Sequence, residues 1–286
     1  MQVVKKIEEL KPLIRAARTA GKTIGLVPTM GYLHDGHLTL MRQARSEQGF
    51  VIASLFVNPL QFGPNEDYAV YPRDLERDSR LAASTGIDVL FAPEVDEMYP
   101  AGNGKTLTFV DVAQITDTLC GASRPGHFRG VATVVTKLIN ISEADWAYFG
   151  QKDAQQVAVI RRMVEDLNLN VKIVSVPIVR EKDGLAMSSR NQYLNDQERI
   201  AALVLSRALG NARKLLEAGE RDTASLALYI ETLIKEEPLA SLEYVAVVDG
   251  GTLAPLGKIK PNTLIALAAR FGKTRLIDNM IWKGRS

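Results

Sequence analysis

The chain has 286 residues, 46% of them hydrophobic and 24% charged, with a net charge of +2 and a mean hydropathy of −0.03. Such a length supports a substantial core divided between two domains, and the near balance of charge offers no polyanion-binding surface, so nucleic acid is not an expected partner. No apolar run approaches the roughly 18 residues of a membrane span, no signal-peptide core is present, and the lone Cys120 excludes an internal disulfide, so a cytoplasmic protein without membrane contact is expected.

An amphipathic pattern carrying Lys5, Lys6, Glu8 and Glu9 predicts a helix over 3–20, and the apolar run that follows predicts a strand over 23–28. That strand ends in Pro28-Thr29-Met30-Gly31-Tyr32-Leu33-His34-Asp35-Gly36-His37, a Gly/Pro turn leading into a helix over 37–48. Two of the three histidines in the chain fall in this one turn. A helix start leaves N–H groups unpaired at the positive end of the macrodipole, which suits a phosphate, and Gly31 and Gly36 allow close approach of a ligand. His34 and His37 can donate to phosphate oxygens and stabilise charge that develops in nucleotidyl transfer. The same pair can instead be hydrogen-bonded structural residues, or zinc ligands, although one Cys and one further His leave few partners for a tetrahedral site.

Further along, strand patterns over 50–57, 87–91, 145–149 and 171–176 alternate with helical ones over 73–85, 130–141 and 153–166. This alternation predicts an α/β fold, a Rossmann-like, doubly wound parallel sheet, and ligands collect at the carboxyl edge of such a sheet. Gly150-Gln151-Lys152-Asp153 reads as a glycine turn after a strand: Lys152 can contact phosphate, and Asp153 can cap its helix or bind ribose or Mg²⁺. Past about residue 176 the pattern changes to helices over 196–218 and 222–235 and strands over 242–248, 263–270 and 274–279. The expected organisation is therefore a nucleotide- and substrate-binding domain over 1–176 and a smaller α+β domain over 177–286 that covers the site. At the junction, Met187-Ser188-Ser189-Arg190 offers hydroxyls and a planar guanidinium to a triphosphate.

A His-x-Gly-His turn followed by a Met-Ser-Ser-Arg loop resembles the adenylate-forming nucleotidyltransferases that include class I aminoacyl-tRNA synthetases, with Arg190 where that class often has lysine. The ordered set Pro28–His37, Phe56–Phe62, Tyr71–Arg73, Arg124–Gly130, Phe149–Asp153 and Met187–Asn191 narrows the resemblance to the pantoate–β-alanine ligase family, over nearly the whole chain. The resemblance implies ATP-dependent condensation of pantoate with β-alanine through a pantoyl adenylate, releasing pyrophosphate and AMP, by a Mg²⁺-using homodimer. It places ATP at Met30, Gly31, Tyr32, Leu33, His34, Asp35, Gly36 and His37, at Gly150, Gln151, Lys152 and Asp153, and at Val179, Met187, Ser188, Ser189 and Arg190. It implies that His37 is a proton donor, with His34, Lys152 and Arg190 also catalytic, and that Gln61 and Gln156 hold pantoate, Gln61 also lying near β-alanine. The family commonly has glutamate where this chain has Gln151. Two other readings, a nucleotidyltransferase for another acid and a non-catalytic nucleotide-binding module, are separated from this one by whether pantoate supports pyrophosphate exchange.

Overall fold

In a computed structural model, residues 1–64, 66–102 and 105–284 are described. They divide into two compact units, one of residues 1–150 and 159–176, the other of residues 151–158 and 177–286. Residues 151–158 thus group with the second unit, a boundary more interleaved than the sequence pattern suggests.

The first unit is built on six parallel strands: β1 (Gln2–Val4), β2 (Ile24–Thr29), β3 (Phe50–Leu55), β4 (Val89–Phe91), β5 (Trp146–Gly150) and β6 (Lys172–Val176). Their order is β1-β4-β3-β2-β5-β6. Helices α1 (Ile7–Thr19), α2 (Asp35–Glu47), α3 (Leu75–Ala83), α4 (Val95–Met98), α5 (Cys120–Ser123) and α6 (His127–Ser142) connect them, and α7 (Ala154–Asp166) leads into β6. Strands β2 and β3 read as continuous apolar runs because both faces of the sheet are covered. Val27, Val51, Ala53 and Leu90 pack with Leu38, Met41 and Ala44 of α2 and Ala82 of α3. Alternate residues Leu26 and Ile52 point to the opposite face and are equally buried.

The helix expected over 3–20 is corrected at its start. Val3 and Val4 belong to β1, which pairs in parallel with Val89–Phe91 at the edge of the sheet. Two β-branched residues favour the pleated surface over the first turn of a helix, and α1 begins only at Ile7.

Strands β2 and β5 are neighbours, and the chain leaves β2 toward β3 on one side and returns to β5 on the other. The carboxyl ends of β2 and β5 therefore flank the point where strand order reverses, the position at which open α/β sheets bind ligands. The His34–His37 turn follows β2, and Gly150 closes β5.

In the second unit, α8 (Asp196–Ala218) and α9 (Thr223–Lys235) pack on an antiparallel sheet of β7 (Ala240–Asp249), β8 (Thr263–Phe271) and β9 (Thr274–Trp282). Leu205, Leu209, Leu216, Ile230, Ile234, Ile265, Leu267, Phe271 and Trp282 form its core. Helix α8 starts at a reciprocal cap in which Glu198 N–H donates to Asn195 Oδ1 at 2.9 Å and Asn195 N–H to Glu198 Oε2 at 3.0 Å. Among the described residues no helix is long and apolar enough to cross a membrane.

Candidate active site

At the end of β2 the chain turns through two left-handed residues, Gly31 (φ +88°) and Tyr32 (φ +51°). A side chain at residue 31 would be strained by that φ, and its Cβ would also lie 3.1 Å from both Asp78 Oδ2 and Leu55 Cδ2. The glycine thus serves the turn and its packing. Asp78 of α3, with none of its surface exposed, holds the turn: Tyr32 N–H donates to Oδ2 at 2.7 Å and Leu33 N–H to Oδ1 at 2.8 Å. Burial pushes the Asp78 carboxyl above the usual range, against the opposing pull of those two amides and of Arg77. Leu33 is fixed completely, its side chain in the core and its carbonyl accepting from Arg77 Nη2 at 2.9 Å.

His34 is the N-cap of α2 and His37 its third helical residue. The Gly36 N–H donates to His34 Nδ1 at 3.2 Å, and the His34 N–H to His37 Nδ1 at 3.3 Å. The rings stack with centroids 4.0 Å apart. An Nδ1 that accepts from an amide cannot carry the proton, so each neutral ring is the Nε2–H tautomer. The expectation that this helix start offers its amides to a phosphate is thereby altered. Those of Tyr32 and Leu33 go to Asp78 and those of His34 and Gly36 to the imidazoles.

Gln61 ends a short 3₁₀ turn (Pro59–Gln61) after β3 and is 8% exposed. Its Nε2 lies 3.0 Å from Met30 Sδ, which brings two of the sequence-predicted residues together. The Gln61 carbonyl is 2.8 Å from His127 Nδ1 and accepts from Arg124 Nη2 at 3.4 Å. Arg124 in turn pairs with Glu66 at 2.6 Å. Burial acts to raise the Glu66 carboxyl, but the Arg124 hydrogen bond and charge outweigh it and hold it below the usual range.

In the second unit, Gln151, Lys152 and Asp153 form a 3₁₀ turn, and Gln156 lies half-buried in the first turn of α7. Asn279 of β9, 3% exposed, donates through Nδ2 to the carbonyls of Gln151 and Lys152, both at 2.9 Å. Its neighbour Asp278 takes both Arg180 guanidinium nitrogens, at 2.7 and 3.0 Å. Val179 and Met187 face each other in a small hairpin, with Met187 N–H donating to the Val179 carbonyl at 3.0 Å. Ser188 caps the turn Ser189–Tyr193 by accepting from Arg190 N–H at 3.2 Å. Asn191 and Arg199 both donate to Glu181, each at 2.6 Å, and tie this loop to α8.

The family model for pantoate-beta-alanine ligase matches residues 2–281. The chain belongs to the pantoate–β-alanine ligase family. It is 63% identical to the pantothenate synthetase of Heliobacterium modesticaldum over 281 residues, 98% of this chain and 99% of the relative, and 57% identical, at the same coverage, to that of Pelotomaculum thermopropionicum. The crystal structure of the Thermus thermophilus pantothenate synthetase superposes with a TM-score of 0.92 at 48% identity, covering 98% of this chain and 99% of that one. A pantoate-beta-alanine ligase from Francisella tularensis, complexed with β-γ ATP and β-alanine, has a TM-score of 0.76 at 37% identity and covers 98% and 97%.

Sequence reasoning did not single out three side chains: Asp78, Tyr99, whose Oη donates to Asn58 Oδ1 at 2.7 Å, and Asn279. Asp78 had a signal, since a carboxylate sits on the stripe of α3 that also buries Ala82. The other two act over 41 and about 128 residues of chain, without a local pattern. Asn279 also gives Gln151 a physical reason. With its Nδ2 committed to two carbonyls, Asn279 turns Oδ1 toward residue 151, where Gln151 Nε2 donates at 3.4 Å; an ionised glutamate in that rotamer would set oxygen against oxygen. Asn279→Ala is expected to lower activity about 10- to 100-fold by releasing the Lys152 turn, and Asn279→Asp, which faces the two carbonyls with acceptors only, to lower it at least as much. Steady-state rates of the two variants check this.

Proposed function

We propose that this chain carries out the ATP-dependent condensation of pantoate with β-alanine through a pantoyl adenylate, and that its site residues act as follows. The pantoate carboxylate, with a pKa near the Asp value of about 3.9, is ionised at neutral pH and attacks the α-phosphorus of ATP without a general base, breaking the bond to the β-phosphate and releasing pyrophosphate. The first step therefore asks for alignment, capable of contributing roughly 7–11 kcal/mol, and for stabilisation of charge on the phosphates. His34 and His37 give Nε2–H donors for that charge, His37 as proton donor, while Lys152 and Arg190 supply cations and Ser188 and Ser189 hydroxyls. Gln61 and Gln156 hold pantoate. β-Alanine, whose amine resembles a lysine with a pKa of about 10.4, attacks the mixed anhydride after losing a proton and releases AMP.

Among the described residues no three His, Cys, Asp or Glu side chains cluster to hold a metal ion. That donor set fits a Mg²⁺ carried on the triphosphate, because magnesium keeps most of its waters and takes phosphate oxygens readily. Bound there, it would neutralise phosphate charge. We place the enzyme in the cytoplasm as a homodimer joined through the larger domain, in keeping with its modest charge and single cysteine.

The observation that carries this reading is the stacked His34–His37 pair, whose Nδ1 atoms are pinned by backbone amides at the end of β2. Exchange of labelled pyrophosphate into ATP tests it. Pantoate should support exchange with no β-alanine present, and exchange with another acid but not pantoate, or with none, would overturn the assignment.

A further inference from the structure

Behind Gln61 lies a directed chain of buried hydrogen bonds. Tyr99, fully buried at the end of α4, donates through Oη to Asn58 Oδ1 at 2.7 Å, and the Leu60 N–H donates to the same oxygen at 3.2 Å. Both acceptor positions of that oxygen are thus filled. The Asn58 Nδ2 then donates to the Gly130 carbonyl and to Gln61 Oε1, each at 3.1 Å. Asn58 is 1% exposed. The sense of this amide is fixed, because the Leu60 N–H can only donate and the Gly130 carbonyl only accept.

That sense passes on to Gln61. Its Oε1 is held by Asn58, so the group it turns toward Met30 is the NH₂. Met30 Sδ is a weak acceptor, so Nε2 gains by exchanging it for a carboxylate or hydroxyl oxygen. The backbone around this chain is equally constrained. A Cβ on Gly130 would lie 2.2 Å from the Leu60 carbonyl oxygen, so α6 approaches the Gln61 turn as closely as it does only because residue 130 has no side chain.

We propose that Tyr99 is a positioning residue for the acid substrate: its hydrogen bond holds in place the Asn58 amide, whose sense Leu60 and Gly130 set, and Asn58 in turn holds Gln61 with its NH₂ toward Met30, so that Gln61 recognises pantoate strictly as a donor to one of its oxygens. Burial pushes the Tyr99 phenol far above its ordinary range, so it stays a hydroxyl donor over the working pH range. The inference rests on the reading that Gln61 holds pantoate.

The test is kinetic. Tyr99→Phe should raise the KM for pantoate roughly five-fold or more, the loss of about one buried hydrogen bond, and leave the KM for ATP unchanged. Added to Gln61→Ala it should raise the pantoate KM no further, because its effect passes through that side chain. Gln61→Glu keeps an acceptor for Asn58 but turns a carboxylate oxygen outward, so it should be at least as damaging as Gln61→Ala. Equal rises in both KM values with Tyr99→Phe, additivity with Gln61→Ala, or a Gln61→Glu enzyme that binds pantoate normally would each overturn the proposal. Should Tyr99→Phe fail to fold, Asn58→Ser, which removes the amide linking Tyr99 to Gln61, takes its place, and a pantoate KM equal to the parent's would overturn the proposal. A Gln61→Ala enzyme with the parental pantoate KM would remove the underlying reading, and the inference with it, a result distinct from additivity between the two sites.

Discussion

His37→Ala is expected to slow pantoate-dependent pyrophosphate exchange about 100- to 1000-fold, the range for removing one preorganised donor to developing charge, while changing unfolding free energy by only about 1 kcal/mol. In the fold, His37 Nδ1 accepts one amide, at 3.3 Å, and its ring lies against His34. His34→Ala provides the contrast. His34 is the N-cap itself, accepting from Gly36 N–H at 3.2 Å, so its loss should weaken both the start of α2 and the chemistry. Denaturant unfolding and the exchange assay, run on both variants, separate the two effects. A His37→Ala enzyme exchanging at the parental rate would show that this ring has no catalytic part.

The parts of the molecule that the sequence predicts well are those whose cause is local. Both long helices of the second unit and the strands β2, β5 and β6 follow from apolar periodicity. The His34–His37 turn stands out because rare residue types cluster in four positions. What could not be read is how that turn is held. The structure adds that Gly31 makes a left-handed bend against Asp78. The sequence offers the N–H groups around the start of α2 to a phosphate, whereas those of Tyr32, Leu33, His34 and Gly36 are engaged within the protein. These assignments depend on side chains brought from as far as 46 residues away, and single-sequence patterns carry no record of such pairings. The edge strand β1 escaped for a similar reason, since its identity is set by pairing with β4.

Asp78→Ala should be the most damaging substitution outside the ligand-contacting residues. It leaves the buried N–H groups of Tyr32 and Leu33 without an acceptor, at a cost of about 1–3 kcal/mol each. It also removes what restrains a non-glycine residue, Tyr32, in the left-handed region, itself a strain of about 1–3 kcal/mol. The relaxed turn would no longer deliver His34 and His37 in register, and a displacement of about 1 Å at a reacting group costs on the order of 100-fold in rate. Asp78→Asn retains one acceptor and a similar shape, so its stability and its exchange rate should both fall between those of the parent and the alanine variant. The Arg77 guanidinium, held by the Leu33 carbonyl and lying 4.8 Å from the centre of the Tyr32 ring, remains to brace the turn in either case. Thermal unfolding and pyrophosphate exchange measured together on the two variants give the ordering. If Asp78→Ala unfolded and exchanged like the parent, the geometry of the His34–His37 pair would have to be maintained by α2 alone, and the ring tautomers would be set by its cap without help from α3.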